Sequence, residues 1–103
     1  MHMIENITFT YRDGSHNAGN VTVYALSTCG HCKRALNFLD SNNVKYRFVY
    51  VDLLPSEEKN KLKDYLVQKS NMYVAFPFLV IDDNTFFTGF IEEEWRRMLK
   101  LEK

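Results

Sequence analysis

The chain is poor in the residues that staple, break or charge a small protein. Its 103 residues include two cysteines, two prolines, four glycines and one tryptophan, and its formal net charge is zero. Two cysteines are too few for the disulfide framework of a small secreted domain. They are also too few for a closed structural zinc site, which takes four ligands. His2, His16 and His31 have no His-x3-5-His spacing to complete one, so no metal site is expected. Thirteen basic side chains against thirteen acidic ones leave no basic excess for binding nucleic acid by counterion release. No apolar run approaches the roughly 20 residues of a membrane span. The start, Met1 to Asn6, lacks a basic segment followed by an apolar stretch. No secretory signal is expected there, and the expected setting is cytoplasmic.

What remains is a hydrophobic content of 46% spread along the whole chain. A chain this long makes one domain and buries roughly 65% of its unfolded surface. Ile7, Phe9 and Tyr11 alternate with Thr8, Thr10 and Arg12, the period of a strand, and Asp13-Gly14 is a turn signal. Val21 to Leu26 is a short apolar strand. From Cys32, the residues Ala35, Leu36 and Leu39 follow at helical spacing, and Asn42-Asn43 ends that helix. Val44 to Val51 is the next strand, apolar on both faces in its second half. Pro55 to Ser70 is a helix with Leu62, Tyr65 and Leu66 inward and a Glu57–Lys61 pair outward. Phe78 to Ile81, a turn at Asp82 to Asn84, and Thr85 to Thr88 form a hairpin. Ile91 to Leu101 closes the chain as a helix.

The order β, β-α-β, α, β-β-α predicts an α/β protein with a mixed sheet of about four strands and helices on both faces. Residues 1–20 form an N-terminal extension whose strand adds an extra edge. Residues 21–103 form the domain itself.

Cys29-Gly30-His31-Cys32 lies where the Val21–Leu26 strand passes into a helix. A thiolate is the reactive form of cysteine, and a helix N-terminus favours negative charge. Cys29, at or before the first turn, is therefore the expected nucleophile. Cys32, one turn further in at the head of the apolar stripe, is the expected buried partner that resolves a mixed disulfide. Lys33 and Arg34 add positive potential. His31, in its positive form between the sulfurs, would make the couple more oxidising.

These residues, together with Tyr24 five residues ahead of Cys29, Phe76-Pro77 before a strand, and Gly89-Phe90 followed by Glu92 and Glu93, make the chain resemble a glutaredoxin from about Val21 to Leu101. The resemblance implies a thioredoxin-like fold and a dithiol-disulfide oxidoreductase. It implies a cis bond before Pro77, with Pro77 facing the active cysteine and the Phe76 backbone open to an extended substrate. Phe76, Pro77, Gly89 and Phe90 are thus the expected substrate-binding residues, with Gly30 and His31 tuning the pair. Glutathione-using members carry a lysine three residues before the first cysteine, where this chain has Leu26. They carry a Gly-Gly pair where it has Gly89-Phe90. That departure resembles the NrdH-redoxin branch, which takes electrons from a thioredoxin-reductase-type flavoenzyme. The expected partners are a disulfide-containing target protein and that flavoenzyme, or glutathione, as donor. No tightly bound cofactor is expected, and the chain is expected to be a monomer. Thioredoxins place an acid six residues before the first cysteine, where Val23 stands here. The Gly30-His31 dipeptide resembles protein disulfide isomerases. Two alternatives remain open at this point: a disulfide oxidant or isomerase, and an iron-sulfur or metal-binding module.

Overall fold

Val21–Ala25 (β2) is buried at every position, because it runs down the middle of the sheet with helices on both sides. It pairs in parallel with Tyr46–Tyr50 (β3) and antiparallel with Phe78–Ile81 (β4). Thr85–Thr88 (β5) completes the hairpin with β4, and Thr10–Arg12 (β1) lies antiparallel on the outer edge of β3. The result is a five-stranded sheet in the order β1-β3-β2-β4-β5. The helices are Gly30–Ser41 (α1), Ser56–Ser70 (α2) and Glu92–Met98 (α3), with a short 3-10 turn at Val51–Leu53. This computed structural model describes residues 7–101. His2 and the first six residues of the expected extension lie outside the described residues, as do residues 102–103.

The period-2 side-chain alternation of the strands sorts the core into two layers. Val21, Val23, Ala25, Phe48, Leu79 and Ile81 face α1 and α3, where Leu36, Leu39, Trp95 and Leu99 meet them. Tyr24, Val49, Phe78 and Val80 face α2, which supplies Leu62 and Leu66. Full burial of each such leucine contributes about 1.5–3 kcal/mol. Among the described residues no helix is long and apolar enough to cross a membrane.

The expected mixed sheet with an N-terminal edge strand is what the chain forms, with shifted ends. The first strand starts at Thr10, not Ile7, because only Thr10–Arg12 lie against a partner, opposite Phe48, Arg47 and Tyr46. Ile7 and Phe9 instead pack into the α2 layer. The last helix stops at Met98, short of Leu101, because Lys100 takes a left-handed backbone with φ of 59°. The extension is tied down beyond its strand. His16 N–H donates to Asn43 O (2.8 Å) and His16 O accepts from Lys45 N–H (2.9 Å), and the His16 ring contacts Leu99 O at 2.6 Å.

Candidate active site

Cys29 is the residue that opens α1. Its backbone is extended (φ −99°, ψ 122°), and its sulfur takes the place of the oxygen that usually caps a helix. Cys32 N–H, unpaired within the helix, points at Cys29 Sγ at 3.2 Å. Cys32 itself is fully buried beside Ala35, Leu36 and Leu39. Its Sγ accepts from the backbone N–H of Leu26 at 3.3 Å. Both thiols are free, with Cys29 half-buried and Cys32 buried. Burial, then the hydrogen bond with Cys29, pushes the Cys32 thiol up to about 12. One helical turn thus carries two chemically unlike sulfurs, the outer one reachable and the inner one held in its neutral form.

The loop between β2 and α1 is anchored by a residue the sequence reading did not single out. Asp52, in the 3-10 turn after β3, accepts from Ser27 N–H (2.8 Å) and from Ser27 Oγ–H (2.6 Å). The Ser27 hydroxyl, followed by its N–H, holds the Asp52 carboxyl below the usual carboxylate range. The available signal was an acid at the end of an apolar strand run, with a serine two residues ahead of the first cysteine.

The second wall comes from the start of β4 and the end of β5. Tyr24 in β2 pairs with Phe78, and Phe78 with Thr88, so this wall and the cysteine loop share one end of the sheet. The Phe76–Pro77 peptide bond is cis. Ala75 N–H donates to Thr88 Oγ1 at 2.8 Å, and Gly89 N–H to Pro77 O at 2.9 Å. Gly89 has φ of +87°, a conformation that side chains disfavour. The indole N–H of Trp95 donates to Gly89 O at 3.0 Å. Trp95, fully buried in α3, therefore fixes this loop as well as filling the core.

The structure brings Cys29, Phe76 and Phe90 against the same core layer. Phe76 is half-buried and touches both layers. Phe90 is half-buried too, edge-on to Trp95 at 4.9 Å and tilted against Phe38 at 5.6 Å. Pro77 is fully buried. Gly30 and His31 are exposed at the start of α1. The His31 ring nitrogen Nδ1 contacts the Arg34 guanidinium. Leu26 packs against both core layers. Glu92 is paired with Arg96 at 3.1 Å, one turn along α3. Among the described residues no group of three His, Cys, Asp or Glu could hold a metal ion.

The glutaredoxin family model matches residues 21–86. This chain belongs to the glutaredoxin family. Among solved structures, a glutaredoxin from Methanosarcina mazei Go1 is 34% identical, with a TM-score of 0.77 over 88% of this chain and 86% of that one. Methanosarcina acetivorans methanoredoxin is 32% identical, with a TM-score of 0.78 over 87% of this chain and 94% of that one. A glutaredoxin from Archaeoglobus fulgidus is 32% identical, with a TM-score of 0.70 over 80% and 87%. Comparison with curated proteins gives no match. With two unlike thiols one turn apart at a helix N-terminus, membership of this family makes the chain a thiol-disulfide redox protein.

Proposed function

We propose that this glutaredoxin-family protein reduces disulfides in target proteins, with Cys29 as nucleophile and Cys32 as resolving thiol. The asymmetry of the pair carries the reading: Cys29 is accessible and receives a helix N-terminal N–H, whereas Cys32 is fully buried. Cys29, as the thiolate, attacks one sulfur of the target disulfide. That bond breaks, and the departing target sulfur takes a proton. The mixed disulfide then puts Cys29 Sγ one turn from Cys32. Cys32 loses its proton and attacks Cys29 Sγ, so the second target thiol leaves. The target has gained two electrons and two protons, and Cys29–Cys32 is oxidised.

The cis-Pro77 loop and Gly89-Phe90 form the surface on which a target strand lies, with the Phe76 backbone as its pairing edge. Electron return is assigned to a thioredoxin-reductase-type flavoenzyme, as in the NrdH-redoxin branch. Leu26 and Phe90 support this. Both are apolar, half-buried and packed against the core, at the positions where glutathione users carry a lysine and a glycine, so glutathione fits this surface poorly. The cycle needs no bound cofactor, a monomer suffices, and the proposed compartment is the cytoplasm, which keeps thiols reduced.

Variants test the assignment. Cys29→Ser abolishes disulfide reduction, whereas Cys32→Ser accumulates a mixed disulfide through Cys29, seen by non-reducing gel and mass spectrometry. Activity retained by Cys29→Ser refutes the roles. For the donor, NADPH consumption with a model disulfide is compared between a thioredoxin-reductase system and glutathione plus its reductase. Turnover with glutathione alone would refute the flavoenzyme assignment.

A further inference from the structure

The buried sulfur of Cys32 has one hydrogen-bond donor from the backbone, Leu26 N–H at 3.3 Å. Leu26 lies in the loop between β2 and α1, beyond the last residue paired in the sheet, Ala25. Its neighbour Ser27 is held at two points by one carboxylate, Asp52, at 2.8 and 2.6 Å. Asp52 belongs to the turn after β3, so these two bonds tie the cysteine loop to the adjacent strand, 25 residues away in sequence. From these contacts we infer that Asp52 is a positioning residue for the resolving thiol: by clamping Ser27 it holds the Leu26 N–H on Cys32 Sγ. This deepens the proposed function and rests on Cys32 being the resolving thiol.

The chemistry gives the clamp a specific place in the cycle. In the first exchange Cys32 is a bystander. In the second its sulfur becomes anionic and attacks, and a fixed N–H donor stabilises that charge within a buried site. When electrons return, Cys29–Cys32 is cleaved and Cys32 is the leaving thiolate, and the same donor receives it. A loosened loop therefore affects Cys32's steps more than the attack by Cys29, whose N–H meets Leu26 O only at 3.4 Å and whose sulfur keeps the Cys32 N–H of α1. The Leu26 N–H also acts against the burial that holds Cys32 neutral.

The test separates the two exchanges. Reduced protein is mixed with bis(2-hydroxyethyl) disulfide, quenched in acid at successive times, and weighed by mass spectrometry with peptide mapping. Cys29 attack breaks the reagent's S–S bond, releases one 2-mercaptoethanol and leaves the other half on Cys29. Cys32 attack then releases the second 2-mercaptoethanol and closes Cys29–Cys32. Asp52→Ala is expected to slow the second step by roughly fivefold or more, about the worth of one well-placed hydrogen bond, and to change the first by less than about twofold.

Asp52→Asn keeps an acceptor for Ser27 N–H and offers a donor to Ser27 Oγ. It is expected to stay within about twofold of wild type in both steps, since neither clamp contact is left empty. Ser27→Ala removes a single hydroxyl and carries the test if Asp52→Ala does not fold; its second step slows while its first does not. Equal slowing of both steps, or an unchanged second step in Asp52→Ala or Ser27→Ala, overturns the inference. A wild-type adduct found on Cys32 instead of Cys29 overturns the thiol roles themselves, a different failure from normal roles with an indifferent Asp52.

Discussion

Replacing Trp95 with phenylalanine separates its two jobs, filling the core and holding Gly89. Trp95 is fully buried and donates its indole N–H to Gly89 O at 3.0 Å. Phenylalanine keeps most of the apolar contact but leaves that carbonyl without its donor, a cost of about 1–3 kcal/mol. The smaller ring also leaves a void of roughly 40 Å³, worth about 1 kcal/mol at ~24 cal/mol per Å³. The total of about 2–4 kcal/mol is a large share of the 5–15 kcal/mol that holds a domain together. Urea unfolding followed by far-UV circular dichroism measures it. Fluorescence does not serve, because Trp95 is the only tryptophan. The midpoint is expected to fall by about 1–3 M. A loss below about 0.5 kcal/mol would refute the reasoning, because a carbonyl that gives up its donor so cheaply is not held by the indole.

Two further outcomes follow from the geometry. Cys32 is raised from 9.0 to about 12 in the folded chain, so folding favours its neutral form. That contribution is fully present below pH 9 and is lost as pH rises through the folded value. The stability difference between reduced wild type and Cys32→Ser, measured by denaturant titration with a phosphine reductant present, should therefore shift against wild type from pH 9 towards pH 12. A pH-independent difference would contradict it. Gly14→Ala would drive a methyl group into the Asn43 carbonyl, where the extension crosses the backbone before β3. A loss of roughly 1–3 kcal/mol is expected with Cys29 alkylation unchanged, whereas an unaffected thermal midpoint would mean that the extension does not dock there.

Much of the fold was legible because local signals and tertiary demands agreed. The apolar run at Val21–Ala25, the helical stripe Cys32-Ala35-Leu36-Leu39 and the Phe78–Thr88 hairpin each have one compatible structure. The ends were harder to read. Where the first strand begins depends on which residues meet the edge of β3, and no pattern within residues 7–12 encodes that. The site divided in the same way. Cys29 and Cys32 announce themselves by spacing and by their place at a strand-to-helix junction. Asp52 and Trp95 do not, because their contacts with Ser27 and Gly89 are made across the fold by residue types that are common on surfaces and in cores. The helix-start acids show the opposite lesson: Glu92, part of the motif that carries the family resemblance, pairs with Arg96 of its own helix.

The most direct test of the central claim, that the two thiols divide the work between an accessible attacker and a buried resolver, is the order in which they react. Fully reduced protein is treated at neutral pH with less than one equivalent of iodoacetamide, and the label is located by peptide mass spectrometry. The expected result is modification of Cys29 alone, with Cys32 unlabelled until the protein is unfolded. Equal labelling of both cysteines in the folded protein, or Cys32 labelled first, would contradict the account.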